Sequence, residues 1–362
     1  MAIRRRCVFL WFIGALCGSG LLGCFDPTAT SAPVVPNGGA RRARIELPSF
    51  TVEAPQMMGG LPPPAPRASS FRRGLVIGPL EAPENDDAFK RQHSALLDHA
   101  VALGVTDLQL VVRWLQVDYT AVEMAPFDSV HDDLLTWLIE QAKRRKLRVL
   151  LTPRLEVENE GLHSGGAIKP SSWELWWWSY RRVALHYARF CALRKVSSFA
   201  LGSELTSTEQ QADNWRKLIK EARKIYKGEL TYLSAPDSFE RVPFWDALDV
   251  VGLAVDQAEP RNEYQLAARL TQLTKRLGTS VTVRELGYVI SETGCGSGTP
   301  DPARELLCQY SLFQSFRDEP RLLGAYLLPA TDLLERVSPS ESDKQAETSS
   351  DVVGHWYLKS RG

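Results

Sequence analysis

The sequence has no surplus of either charge: 43 Lys and Arg stand against 43 Asp and Glu. Without a basic excess to neutralise phosphates, nucleic acid is excluded as a partner. Cysteine is scarce, with 6 residues in 362, and no Cys or His spacing matches a zinc site. No apolar run is comfortably long enough to span a bilayer; the best, Val8 to Leu22, is short and broken by Gly. The first candidate strand is not followed by a Gly-rich phosphate-binding turn, which argues against a nucleotide-binding doubly wound sheet.

What is present begins with a leader. Arg4-Arg5-Arg6 precede the Val8 to Leu22 run, which ends in Leu21-Leu22-Gly23-Cys24. This resembles a bacterial lipobox, in which a small residue precedes the Cys that receives lipid. A plain secretory signal with a chance Cys is the competing reading. Residues 1–23 are therefore expected to be a lipoprotein signal peptide, with Cys24 as the lipidation site. Phe25 rather than Asp follows the Cys, so the bacterial cell envelope is the expected location, with the outer membrane favoured. Residues 24–70, rich in Pro, Ala, Gly and Arg, read as a flexible tether, and the folded domain as 71–362. Cys295 and Cys308 flank a Gly- and Pro-containing loop and could bridge in an oxidising compartment; Cys191 lies in a helical pattern and reads as an inert buried thiol.

From Phe71 onward, strand-like and helix-like segments alternate. Apolar strand patterns occur at 74–80, 107–113, 147–154, 198–204, 229–234, 249–254, 281–285 and 323–328. Helical patterns fill most of the intervals, including 172–193, opened by a Ser cap and carrying Trp173, Trp176, Trp177 and Trp178. Apolar strands alternating with helices imply parallel pairing under a helical cover. Eight such units fit an α/β fold of the (β/α)8 TIM-barrel type.

In such a barrel the carboxyl ends of the strands line one mouth. The polar residues expected there are Arg113, Arg154, Ser203, Glu204, Asp237, Asp256 and Glu285, with Tyr288 close behind. A carboxylate at the end of a buried strand is costly to desolvate and needs a reason to be there. Two of them, Glu204 and Glu285, fit the two-carboxylate scheme of a retaining glycosidase, which needs them about 5–5.5 Å apart. Trp114 is a candidate sugar-stacking residue, whereas the Trp173–Trp178 group reads as helix packing.

Several of these stretches together resemble glycoside hydrolase family 113. They are Phe199-Ala-Leu-Gly-Ser-Glu-Leu205, Trp215 with Arg223 and Tyr226, Gly228-Glu-Leu-Thr-Tyr232, Phe244-Trp-Asp-Ala-Leu-Asp249 and Glu285-Leu-Gly-Tyr288. The resemblance runs from about residue 74 to 358. It implies a retaining β-mannanase-like enzyme of TIM-barrel fold that acts on a β-linked polysaccharide or oligosaccharide without a cofactor. Glu204 would be the acid/base and Glu285 the nucleophile, with Arg113, Trp114, Arg154, Ser203, Asp237, Asp256 and Tyr288 around the substrate. The chain departs from the family in three places: Asp237 stands where Asn is usual, no Tyr follows the sixth strand, and the eighth strand ends Tyr326-Leu-Leu-Pro329 without Trp. A catalytically impaired, carbohydrate-binding envelope lipoprotein is the alternative reading.

Overall fold

Strand alternation in this chain separates two cores. The computed structural model describes residues 70–126, 129–158, 167–255, 263–278, 288–293 and 321–327, together with 354 and 357. Among the described residues eight strands are present: β1 (Arg72–Leu80), β2 (Asp107–Gln116), β3 (Arg148–Val157), β4 (Ser198–Ser203), β5 (Glu229–Ser234), β6 (Val250–Val255), β7 (Tyr288–Thr293) and β8 (Leu322–Leu327). Each pairs in parallel with the next, and β8 returns to β1, closing a barrel. This is the (β/α)8 architecture the alternation predicts.

The period of two along each strand sends one set of side chains into the barrel and the other towards the helices. Val76, Val111, Leu150, Ala200, Leu233, Val250, Ala254 and Tyr326 form the inner core. Their neighbours in sequence, such as Leu75, Leu110, Leu151, Phe199, Tyr232 and Leu253, belong to the larger outer core between sheet and helices. Because both faces are buried, the strands read as nearly continuous apolar runs rather than as alternating ones.

The outer layer includes α1 (Asp86–Ala102), α2 (Asp132–Arg144), α3 (Trp173–Leu193), α4 (Ala212–Ile225) and α5 (Glu263–Gly278). Local chemistry fixes where they start. The Asn85 side chain accepts the Ala88 N–H at 2.9 Å to open α1, and the Ser172 hydroxyl accepts the Leu175 N–H at 3.3 Å to open α3. On α4, Trp215, Leu218, Ile219 and Ala222 recur at helical spacing and are all buried. Trp215 is the hub of an aromatic cluster. It packs against Trp177 and Tyr180 of α3, Tyr232 of β5 and Phe244. Trp176 and Trp177 are buried while Trp178 is exposed, in line with helix packing as the main role of this Trp group. Cys191 is a free, buried thiol, as expected from its place in a helical pattern.

At the amino-terminal end of the barrel, both guanidinium nitrogens of Arg72 meet the Glu229 carboxylate at 2.6 Å, and Ser198 adds a hydroxyl at 2.9 Å. Near the carboxyl terminus, the Tyr357 hydroxyl lies 2.9 Å from the carbonyls of both Gly74 and Ala325, across the seam between β1 and β8.

The 281–285 run expected as the seventh strand lies outside the described residues. β7 follows it, and Tyr288-Val-Ile-Ser pairs with β6 and β8, with Val251 opposite Tyr288 and Tyr326 opposite Ser291. The leader, Cys24, the tether up to residue 69, Asp256, Glu285, Cys295 and Cys308 lie outside the described residues.

Candidate active site

The carboxyl ends of the strands carry Arg113, Arg154, Glu156, Ser203 and Glu204. Alternation from Val111 places Arg113 on the inner face, and alternation from Leu150 places Thr152, Arg154 and Glu156 there. Arg113 and Arg154 stand directly opposite one another in the β2–β3 register. Arg113 is bracketed by two carboxylates: its Nη1 lies 3.7 Å from Glu81 and its Nε lies 3.7 Å from Glu156. Arg154 is buried. These positions form a charged floor beneath the mouth.

Strand β4 delivers the central residue. Its ladder with β5 is regular from Ser198 to Ala200, then shifts so that Ser203 faces Leu233. The shift acts as a bulge, which re-aims the last side chains of the strand. Ser203 is buried, and Glu204 follows it at 8% exposure. Glu204 has φ 54, in the left-handed region that costs a residue with a Cβ roughly 1–2 kcal/mol. Such conformations persist where the surroundings over-determine them, and they cluster at functional sites. The Glu204 N–H donates to Leu233 O at 2.7 Å, and the next N–H, that of Leu205, donates to the Tyr232 hydroxyl at 2.9 Å. The chain then enters a short 3-10 turn, Thr206–Thr208, pinned by the Thr208 hydroxyl on Leu205 O at 2.7 Å.

Gly202, just before Ser203, is required by close approach. A Cβ there would meet the Tyr180 hydroxyl at 2.5 Å and Trp215 at 3.1 Å. The Tyr180 hydroxyl is itself fixed, donating to Leu201 O at 2.7 Å. The Leu201-Gly-Ser-Glu204 stretch is thus shaped from behind by the aromatic cluster.

Other expected site residues fall differently. Trp114 follows Arg113 and so points outward. Its indole donates to the Tyr187 hydroxyl at 3.0 Å and its ring packs edge-on against Tyr187. It faces α3 rather than the mouth, which removes it as a stacking platform for a sugar in the barrel; the parity of β2 is the physical reason. Asp237 lies exposed in the loop after β5. Tyr288 opens β7 and therefore sits at the amino end of that strand. Glu292 is the acidic residue near the carboxyl end of β7. Asp256 and Glu285 are outside the described residues.

Sequence reasoning overlooked Glu209, which is 1% exposed. It lies against β5, where Oε1 accepts hydrogen bonds from the Tyr232 hydroxyl at 3.0 Å and the Ser234 hydroxyl at 2.8 Å. Burial pushes its carboxyl above the ordinary glutamate value; the hydroxyls of Ser234, Ser238 and Tyr232 oppose that shift and the charge of Asp237 adds to it. The outward parity of Tyr232 and Ser234 on β5 could have flagged two hydroxyls awaiting a partner. Glu156, two residues beyond Arg154 on the inner face, was legible in the same way. Among the described residues, no group of three or more His, Cys, Asp or Glu side chains could hold a metal ion.

A parallel closed barrel with a buried, conformationally strained glutamate at the carboxyl end of its fourth strand defines a class: TIM-barrel proteins, whose functional residues sit at that mouth. Comparison with known proteins makes the class specific. The model of glycoside hydrolase family 113 matches residues 81–304, more than half of the chain, and the protein belongs to that family. Among solved structures, it is similar to the family 113 β-mannanase AaManA from Alicyclobacillus acidocaldarius. The two share 21% identity and a TM-score of 0.67, over 80% of this chain and 97% of that one. A family 113 β-1,4-mannanase matches at 21% identity and TM-score 0.64, covering 80% of this chain and 99% of that one. The endo-1,4-β-mannanase of Rhizomucor miehei has the same fold at 9% identity and TM-score 0.55, with 81% and 95% covered. No curated protein sequence matches it.

Proposed function

We propose that the protein is a retaining glycoside hydrolase acting on a β-mannan-like polysaccharide or oligosaccharide outside the cytoplasm. The observation that carries this reading is Glu204. It is a buried glutamate held in a strained conformation at the end of β4, in a chain that belongs to a glycosidase family. The similarity to β-mannanases supports a β-mannan-like substrate. Glu204 would protonate the leaving glycosidic oxygen as the bond to the anomeric carbon breaks. Glu285, by its Glu285-Leu-Gly-Tyr288 motif, would attack that carbon and form a glycosyl ester. Glu204 would then take a proton from water as the water displaces the ester, restoring both carboxyl groups.

Purified protein incubated with β-mannan is expected to release reducing ends, and proton NMR should detect the β anomer first. Sugar binding by calorimetry with no release would instead favour a carbohydrate-binding protein that has lost turnover. The absence of Trp on β8 and the outward turn of Trp114 are the observations on that side.

The location rests on Leu21-Leu22-Gly23-Cys24, and we propose a lipid on Cys24 that tethers the barrel through residues 25–70. Expressed in a bacterium, the full chain should enter the detergent phase on extraction while Cys24→Ala stays in the aqueous phase. Equal partitioning of the two would remove the anchor.

A further inference from the structure

Glu209 is a buried carboxylate that the proposed mechanism does not use. It cannot touch a substrate in the barrel, because its partner Tyr232 belongs to the outer core, on the helix side of the sheet. Burying a carboxylate is costly unless its oxygens are well supplied with donors. Here the donors are specific: Tyr232 and Ser234 from β5 at 3.0 and 2.8 Å, with the Ser238 hydroxyl a further 3.0 Å from that of Ser234.

We propose that Glu209, acting through the Tyr232 hydroxyl, is a positioning residue for Glu204. This rests on the reading of Glu204 as acid/base. A tyrosine hydroxyl has one proton to donate and lone pairs to accept with. The Leu205 N–H needs a lone pair on that oxygen, at 2.9 Å. The Tyr232 proton must therefore point elsewhere, and Glu209 gives it a destination. The relay Leu205 N–H to Tyr232 to Glu209 is thus oriented by the carboxylate at its end.

Its consequence falls on the peptide groups around Glu204. The N–H on one side is held by Leu233 O and the N–H on the other by Tyr232, both from β5. With φ 54 at Glu204 between them, these two anchors over-determine a conformation the residue would otherwise leave. Tyr232 is itself immobilised by Trp215, Phe244 and Trp245, so the hydroxyl is a fixed point. Glu209 sets the direction of one proton, and that proton sets the aim of the catalytic carboxyl.

The test uses the full chain and two β-mannosides that differ only in leaving group. Dinitrophenolate departs without a proton, whereas a sugar alcohol needs one from Glu204. Tyr232→Phe and Glu209→Leu should lower kcat/KM on the sugar-leaving substrate by about 10- to 100-fold, a partial loss of what general acid catalysis supplies, and by no more than about 3-fold on the dinitrophenyl mannoside. Glu209→Gln keeps a carbonyl oxygen as acceptor and should restore the wild-type ratio of the two rates. That ratio is independent of the folded fraction, because unfolding scales both rates alike. Equal losses on both substrates, or none on either, overturn the inference while leaving the glycosidase reading in place. A wild-type chain that turns over neither substrate overturns both.

Discussion

Replacing Glu204 with Gln is expected to lower kcat/KM on β-mannan by about 100- to 10,000-fold, the range that a positioned general acid supplies. That corresponds to roughly 3–5 kcal/mol of transition-state stabilisation. The amide matches the carboxyl in shape, so the strained backbone at Glu204 and its hydrogen bonds to Leu233 and Tyr232 should survive the change. What is lost is a dissociable proton. The loss should accordingly shrink on a dinitrophenyl mannoside, whose leaving group needs no acid. With that substrate, azide should accelerate turnover of the variant, since the anion can displace the glycosyl ester without base assistance. Thermal unfolding measured in parallel should shift little. A Glu204→Gln protein with unaltered kinetics on both substrates would remove this residue from the mechanism.

Replacing Glu285 with Gln should be more severe, about 10,000-fold or greater on every substrate, with no dependence on leaving group. An absent nucleophile cannot be compensated by an easier departure. The comparison that sharpens this prediction is Glu292→Gln. Glu285 has the family motif, whereas Glu292 is the acidic residue near the carboxyl end of β7. Glu292→Gln is expected to keep turnover within a few-fold of wild type. The opposite pattern would transfer the nucleophile to Glu292 and leave the two-carboxylate scheme standing with one member exchanged.

Much of the fold was legible because the hydrophobic period is local information. Buried parallel strands read as short apolar runs, and α4 shows its Trp215, Leu218, Ile219, Ala222 stripe directly. Glu204 was legible for the same reason, since an acid closing an apolar run stands out from the pattern. Two features escaped for one shared reason: partners distant in sequence decide them. The pairing of 288–293 as β7 depends on β6 and β8, which come from other parts of the chain. The burial of Glu209 depends on hydroxyls of β5 more than 20 residues away, and within its own Thr-Ser-Thr-Glu-Gln stretch it looks like a polar cap. Trp114 was misread although its parity was available, because a tryptophan next to a mouth arginine invites a sugar-stacking role that the alternation of β2 denies.

The claim at the centre of this account is a covalent glycosyl intermediate on one carboxylate with a second acting as acid and base. A β-mannosyl fluoride carrying fluorine beside the anomeric centre tests it most directly. Fluoride leaves, a carboxylate oxygen bonds to the anomeric carbon, and the electron-withdrawing substituent slows hydrolysis of the ester enough for mass spectrometry of a protease digest. A single fluorosugar adduct is expected on the peptide containing Glu285, absent from the Glu285→Gln protein. Hydrolysis of β-mannan with the α anomer formed first and no adduct on any peptide would contradict it.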